Sequence, residues 1–375
     1  MRIGIDATVI YGRYTGVARA VVGLIRGLAE VDDENDYVLY CGRDIPPLGE
    51  LPANFRWRTR PMDVASRLRV VYWQQSRLDA DAREDGVDVL HCPAYVAPMR
   101  GRTKMVLSVY DAHVFTHPQY CSWLNRMHYR QVMPYALGRA ARIFCPSCAT
   151  RDVLVQRLRV GESRIVVVPL GVERRFRRIL QPDVLEQVRT ALELPEQFVL
   201  FVGNLEPRKG LPRLLEAFIR ARKSTGFPHK LVIAGKPGDS AKAVMHAVDA
   251  PHAREHVMAL GYVSDACLPH LYNLATAVIC PAPFEGFGFT ALEAMACGTP
   301  VLANESGALP EVCGDAALYV QPRHVEPLAE AIRRILSDEE LRHRLIAQGL
   351  TRAERFQWAT TARVTLATYE EVFGG

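Results

Sequence analysis

Short apolar runs alternate along the chain with longer stretches whose apolar residues recur three and four positions apart. Ile3-Gly4-Ile5 opens as a strand, and Val17, Val21, Leu24 and Leu28 then mark one face of a helix beginning near Gly16. Tyr37–Tyr40, Val87–Leu90, Lys104–Tyr110, Arg142–Cys145 and Ile165–Val168 read as further strands, with a helical region at Trp123–Arg142. The pattern restarts at Phe198–Val202, a buried strand leading to an amphipathic helix at Leu211–Arg222. Leu231–Ala234, Val257–Leu260, Ala277–Cys280 and Val301–Ala303 continue it as strands, with helices near Ser240–Val248, Cys267–Ala275 and Thr290–Cys297. Glu326–Phe356 is largely helical, and Ala359–Phe373 is the last helix. Strand–helix alternation twice over implies an α/β chain of two doubly wound, Rossmann-like domains facing a central cleft. The expected division is 1–172, a linker at 173–194, 195–358, and the terminal helix within 359–375.

Composition supports this and narrows the function. A chain of 375 residues exceeds one ordinary core, and 49% hydrophobic with 23% charged residues is ordinary for a globular protein. The net charge of +5 is spread along the chain rather than gathered in a nucleic-acid-binding stripe. The first residues carry no signal-peptide pattern, and no apolar run approaches the ~18 residues of a membrane span. Nine scattered cysteines suit buried thiols in a reducing cytoplasm. Cys145-Pro-Ser-Cys148 has redox spacing but no thioredoxin-like context. Asp32–Asp36 is either a metal site or, as expected here, a solvated helix-to-strand loop. Trp123–Arg142 places Arg126, Arg130, Arg139 and Arg142 among Trp, Met and Tyr. That is a solvated basic face or a surface for anionic lipid. Arg174, Arg175, Arg177 and Arg178 form a second cluster in the expected linker.

The chemistry concentrates at Phe284–Val301, where a strand, a glycine turn and a helix N-terminus follow one another as an anion-holding unit. Gly286-Phe287-Gly288-Phe289-Thr290-Ala291 also fits the dinucleotide fingerprint, and Glu305 lies nineteen residues on, where a ribose-binding acid is sought. Against a dehydrogenase, Pro281–Glu285 separate the strand from the first glycine, and the motif comes late in its half. Thr290-x-x-Glu293 could be a capping box, whereas Glu285 has no such structural reason. Adjacent Arg208 and Lys209, after the first strand of the second half, suit a diphosphate.

Glu285 and Glu293, with seven residues between them in FEGFGFTALEAMACGTPV, resemble the E-x7-E signature of retaining glycosyltransferases of family 4, which have the GT-B fold. Gly4–Ala7, Tyr14–Arg19, Val168–Val172, Val202–Gly210 and Gly261–Asp265 are similar to the same family, in the same order, over nearly the whole chain. The resemblance implies a C-terminal domain that holds a GDP- or UDP-sugar, with Gly203, Asn204, Gly286, Phe287, Gly288, Phe289 and Thr290 around the donor. Arg208 and Lys209 would stabilise the departing diphosphate, so that neither metal nor cofactor is needed. Glu285 would bind the sugar hydroxyls and Glu293 the ribose. Gly16 would let the backbone approach the phosphates, and the last helix would return to the first domain. Where many relatives have His-Asp, this chain has Tyr110-Asp111, which leaves Asp111, His113 and His117 as acceptor-side candidates. Asn204 replaces a basic residue, so Arg208 would carry more of the phosphate charge. The implied acceptor is a glycan or lipid-linked glycan, with mannose as the favoured hexose and a peripheral membrane contact compatible with the basic helix. A GT-B epimerase, a glycogen-synthase-like polymerase, a non-catalytic sugar-nucleotide binder and the dehydrogenase are the alternatives.

Overall fold

Seven parallel strands form the first sheet in a computed structural model that describes residues 1–12, 15–121, 123–236, 246, 248, 250–321 and 324–375. They are β1 (Arg2–Asp6), β2 (Asp36–Cys41), β3 (Phe55–Thr59), β4 (Val89–Cys92), β5 (Lys104–Ser108), β6 (Arg142–Cys145) and β7 (Ile165–Val167). Their order is β3-β2-β1-β4-β5-β6-β7, so the winding reverses between β1 and β4. Central strands buried on both faces read as apolar runs rather than alternations, and Ile3, Ile5, Val38, Leu39, Val89, Leu90, Val106 and Leu107 are all fully buried.

The chain divides into Met1–Gly171 with Phe356–Gly375, and Val172–Arg355. The stretch 173–194, expected as a linker, lies within the second unit and carries a helix, Pro182–Ala191. It is held there by side chains. Asn273 accepts from the Ile179 amide at 2.8 Å and donates to the Arg177 carbonyl at 3.0 Å, while Phe176 packs edge-on against Tyr272.

Several elements of the first unit escape the hydrophobic pattern, three of them between β2 and β4. Strand β3 alternates Phe55 and Trp57 with arginines at the sheet edge. Helices Arg67–Ser76 and Leu78–Glu84 lack an apolar stripe and are tied by a side chain, the Trp73 indole donating to Asp81 at 2.9 Å. Nor is Asp32 a solvated loop residue. It is buried and accepts from the Glu34 and Asn35 amides and the Tyr37 hydroxyl, organising the turn into β2.

The terminal helix, Trp358–Gly374, packs on the first helix, Gly16–Val31, through two glycines. A Cβ on Gly23 would lie 2.1 Å from the Trp358 ring, and one on Gly27 would lie 2.6 Å from the Trp358 carbonyl oxygen. Only glycine lets the helices approach so closely. Farther along, the Tyr369 hydroxyl lies 2.6 Å from Nδ1 of fully buried His91, whose Nε2 is 2.7 Å from the Ser108 hydroxyl.

Burial keeps this imidazole neutral, its pKa pushed down to about 3. The unfolded chain takes up the proton near the ordinary value of about 6.5, so below that pH it binds more protons than the folded chain. Stability from this group is therefore complete above about pH 6.5 and falls by up to ~1.4 kcal/mol per pH unit on acidification. Urea unfolding between neutral pH and pH 4 should show a steeper decline for the wild type than for His91→Gln. Equal slopes would place the acid sensitivity elsewhere.

The second sheet contains β8 (Phe198–Val202), β9 (Lys230–Ala234), β10 (Val257–Gly261), β11 (Ala277–Cys280), β12 (Val301–Asn304) and β13 (Ala317–Val320). Its order, β10-β9-β8-β11-β12-β13, is the six-stranded doubly wound arrangement, all parallel, with the reversal between β8 and β11. The helix expected near Ser240–Val248 falls almost wholly outside the described residues, as does Tyr14. Strand β13 was not legible in the pattern, being four residues between a glycine turn and a helix.

Candidate active site

In an open doubly wound sheet, ligands bind beyond the carboxyl ends of the strands where the order reverses. In the second unit that place lies between the loops after β8 and β11, and the two leading charged candidates meet there. Lys209 Nζ lies 2.6 Å from Glu285 Oε1, with the two side chains 20% and 19% exposed. Seventy-six positions separate Lys209 from Glu285 in the chain, so the pair is a product of topology.

The loop after β8 is shaped by close backbone approaches. Gly203 has φ +155°, and its amide donates to the Ala234 carbonyl at 2.9 Å. A Cβ on Gly235 would lie 1.8 Å from the Gly203 oxygen, so the loops after β8 and β9 touch. Pro207–Lys209 is a single 3₁₀ turn closed by Gly210 at φ +75°, where a Cβ would sit 2.5 Å from the Pro281 carbonyl oxygen. The Arg-Lys turn is thus pressed directly onto the start of the Glu285 loop. Arg208 Nε donates to Glu206 Oε2 at 2.6 Å, and Asn204 Nδ2 lies 3.5 Å from the other oxygen of that carboxylate.

The Glu285 backbone is held from the far side by the loop after β12. Its carbonyl accepts from the Ala308 amide at 2.9 Å, and a Cβ on Gly307 would lie 2.8 Å from the Glu285 nitrogen. Asn304 Nδ2 donates to the Ala282 carbonyl at 2.8 Å, and the Ser306 hydroxyl donates to that of Pro283. The Asn-Glu-Ser-Gly run after a strand was the available signal; what it clamps is visible only in three dimensions.

Helix Phe289–Ala296 starts at Gly288, whose φ of +104° makes it the N-cap without a capping side chain. Thr290 is the second helical residue, and its hydroxyl reaches the Val202 carbonyl at 3.4 Å. The capping box considered for Thr290 and Glu293 is therefore not formed. Glu293 is buried instead, accepting a hydrogen bond from the Tyr272 hydroxyl at 2.8 Å. Burial, reinforced by this carboxylate, pushes the Cys297 thiol up to about 12. Burial likewise raises Cys280 at the end of β11, so neither thiol is a ready nucleophile.

Glu305 follows β12, accepting from Gln321 Nε2 at 3.2 Å. The Gly286 turn follows β11, whereas a dinucleotide fingerprint occupies the turn after the first strand, here β8. That placement removes the geometry a dehydrogenase requires.

Asp111, His113 and His117 belong to the first unit, just beyond β5. Asp111 accepts from the His113 amide at 2.7 Å and lies 3.1 Å from His113 Nδ1. His117 stacks on Tyr120, and burial followed by the neighbouring His113 lowers its pKa. Burial raises the Tyr110 phenol. Gly16 opens the first helix behind the Thr15 cap, with nothing within 4 Å of a built Cβ. In the C-x-x-C, Cys145 is buried beneath the Ser147 helix cap, and no disulfide is formed among the described residues. Among the described residues no group of three or more His, Cys, Asp or Glu is placed to hold a metal ion.

Two family models match. "Glycosyltransferase Family 4" covers residues 14–176 and "Glycosyl transferases group 1" covers 186–352. The chain is 28% identical to the O-antigen chain mannosyltransferase B of Escherichia coli over 75% of its own length and 74% of that protein's. Its fold is similar to that of a sucrose-phosphate synthase from Thermosynechococcus elongatus, with TM-score 0.79 at 20% identity over 100% and 99% of the two chains. It is also similar to Anabaena HepE in complex with UDP and glucose, with TM-score 0.75 at 17% identity over 99% of each chain.

Proposed function

Because the chain belongs to the family 4 glycosyltransferases, with the GT-B fold, we propose that it moves a hexose with retention from a nucleotide-diphosphate sugar to an acceptor hydroxyl. The Lys209–Glu285 pair at the strand-order reversal is the observation that carries this reading. It sets a cation for phosphate beside a carboxylate for sugar hydroxyls. The neighbour with UDP and glucose supports a sugar nucleotide, and the mannosyltransferase relative supports mannose on a glycan acceptor.

In the reaction, the bond between the anomeric carbon and the β-phosphate oxygen breaks, and the diphosphate leaves with the electron pair. The acceptor oxygen bonds to the same face of the anomeric carbon, and its proton passes to the departing phosphate. Lys209 and Arg208 meet the negative charge as it grows on the leaving group, at the moment when such donors are worth most. The peptide N–H groups of Phe287 to Thr290, at a helix N-terminus whose cap residue is Gly288, add to that field. Glu285 aligns the hexose. Gly203, Asn204 and Gly286 line the donor loops; in the first unit, Gly16 offers an open backbone, and Asp111, His113 and His117 offer polar groups for the acceptor. No metal or cofactor enters this scheme.

A thermal-shift series with GDP, UDP and their hexose conjugates, followed by diphosphate release with and without EDTA, tests the reading. Stabilisation by one nucleotide family and chelator-resistant release are expected. No shift with any of them, or activity lost to EDTA, would overturn it.

Glu293 has two possible duties that separate cleanly. If it holds the donor ribose, Glu293→Gln should weaken donor binding by about ten- to a hundredfold, since one hydrogen bond to a charged group contributes about 1.5–3 kcal/mol. Melting temperature should then change little. If it serves only Tyr272, Tyr272→Phe and Glu293→Gln should lower melting temperature alike and leave donor affinity alone.

A further inference from the structure

Two helices of the first unit turn large apolar side chains to solvent. Leu68 and Tyr72, one turn apart on Arg67–Ser76, are 84% and 74% exposed. Trp123 and Tyr135, on Trp123–Arg139, are 63% and 65% exposed. Met127 and Arg130 fall between them at helical spacing and are exposed too, while Met133, Ala136 and Leu137 form the buried side. The helices are neighbours, because the Arg67 guanidinium lies 5.3 Å from the Tyr129 ring centroid. The 98–99 loop is bonded to both: the Met99 amide donates to Gln75 Oε1 at 3.0 Å, and Arg139 donates to the Pro98 carbonyl at 3.3 Å.

The charge on these two helices has one sign. Neither helix contains Asp or Glu, and no acid occurs from Ala112 to Arg151. The structure also sorts the arginines expected from sequence to lie on one face. Arg139 turns inward to Asp79 and the Thr103 carbonyl, and Arg142 pairs with Glu371. Exposed Arg69 and Arg130 remain beside the apolar residues. Pro134, exposed within the helix, gives up a backbone donor at the same surface.

We propose that this two-helix face is a docking surface for an anionic lipid bilayer. Trp and Tyr seat their rings at the headgroup level, Leu and Met enter the acyl boundary, and Arg meets lipid phosphate. A second copy of the chain is the poorer occupant, because a two-fold interface would set the same arginine-bearing, acid-free face against itself. No helix among the described residues is long and apolar enough to cross a membrane, so attachment is to the surface. This deepens the transferase reading by naming where a lipid-linked acceptor would be met, and it rests on that reading only for its purpose.

Co-sedimentation of the full chain with phosphatidylcholine vesicles, with and without phosphatidylglycerol, across a salt series tests it. Binding should require phosphatidylglycerol and fall as salt rises. Leu68→Ser/Trp123→Ser should weaken binding about tenfold at fixed salt, through lost apolar insertion. Arg69→Glu/Arg130→Glu should remove it, whereas Arg334→Glu/Arg344→Glu, the same charge change in the second unit, should leave most of it. No binding at low salt overturns the proposal, as does an equal effect of the two arginine pairs. So does a dimer in sedimentation velocity that the Leu68→Ser/Trp123→Ser change dissociates. Nucleotide-induced thermal shifts of the same samples report separately on the donor site.

Discussion

Lys209→Met is expected to lower transfer turnover by roughly 10²–10³-fold, the cost of removing one preorganised donor from a developing negative charge. The effect should appear mainly in kcat, because the charge that Lys209 meets is larger in the transition state than in the bound donor. The substitution also strips Glu285 of the cation 2.6 Å away, with both side chains largely shielded from water. A loss of about 1–3 kcal/mol in unfolding free energy should accompany it, the range for an unmade hydrogen bond to a charged group. Steady-state kinetics beside urea unfolding measure both. Unchanged turnover in a folded variant would remove Lys209 from the chemistry.

Glu285→Gln should cost turnover on the order of 10²–10³-fold as well, while leaving the fold intact. Its backbone is clamped by Ala308, Gly307 and the Ser306 and Asn304 side chains, none of which needs the carboxylate. If the two side chains act as one unit, the double variant Lys209→Met/Glu285→Gln should lose scarcely more than the worse single variant. Multiplying losses would show two independent roles instead. In either case, donor binding measured by thermal shift should weaken more for Lys209→Met, since the diphosphate carries most of the ligand's charge.

Arg208 differs from its neighbour. Its partner is Glu206 of the same turn, two residues away, so the arginine is held in place by its own loop. Under the proposed function, a diphosphate arriving there would compete with that carboxylate, whereas at Lys209 it would share the cation with Glu285. The local sequence Glu-Pro-Arg-Lys-Gly thus encodes one pair within the turn and leaves the other to a distant loop.

The repeating alternation of apolar runs and helical stripes was enough to determine two parallel, doubly wound sheets. Strands buried on both faces leave a local signature that needs no partner to be read. The glycine turn at Gly286–Gly288, the Arg208-Lys209 step and the E-x7-E spacing were legible for the same reason, being short and contiguous. What escaped were elements without such a pattern: β3 at the sheet edge, the Arg67–Ser76 helix fastened by Trp73, and β13. Several roles were likewise open until residues far apart in sequence met. Glu293 could have been a cap until Tyr272 was found against it, and Arg139 could have faced solvent until Asp79 took it inward. The Lys209–Glu285 pair, 76 residues apart, exists because β11 returns beside β8 at the reversal of strand order. Sequence alone determined which residue types were present and in which local frames. Tertiary structure decided which charges face one another, because Coulombic and hydrogen-bond partners are set by distances that only the assembled sheet brings within reach.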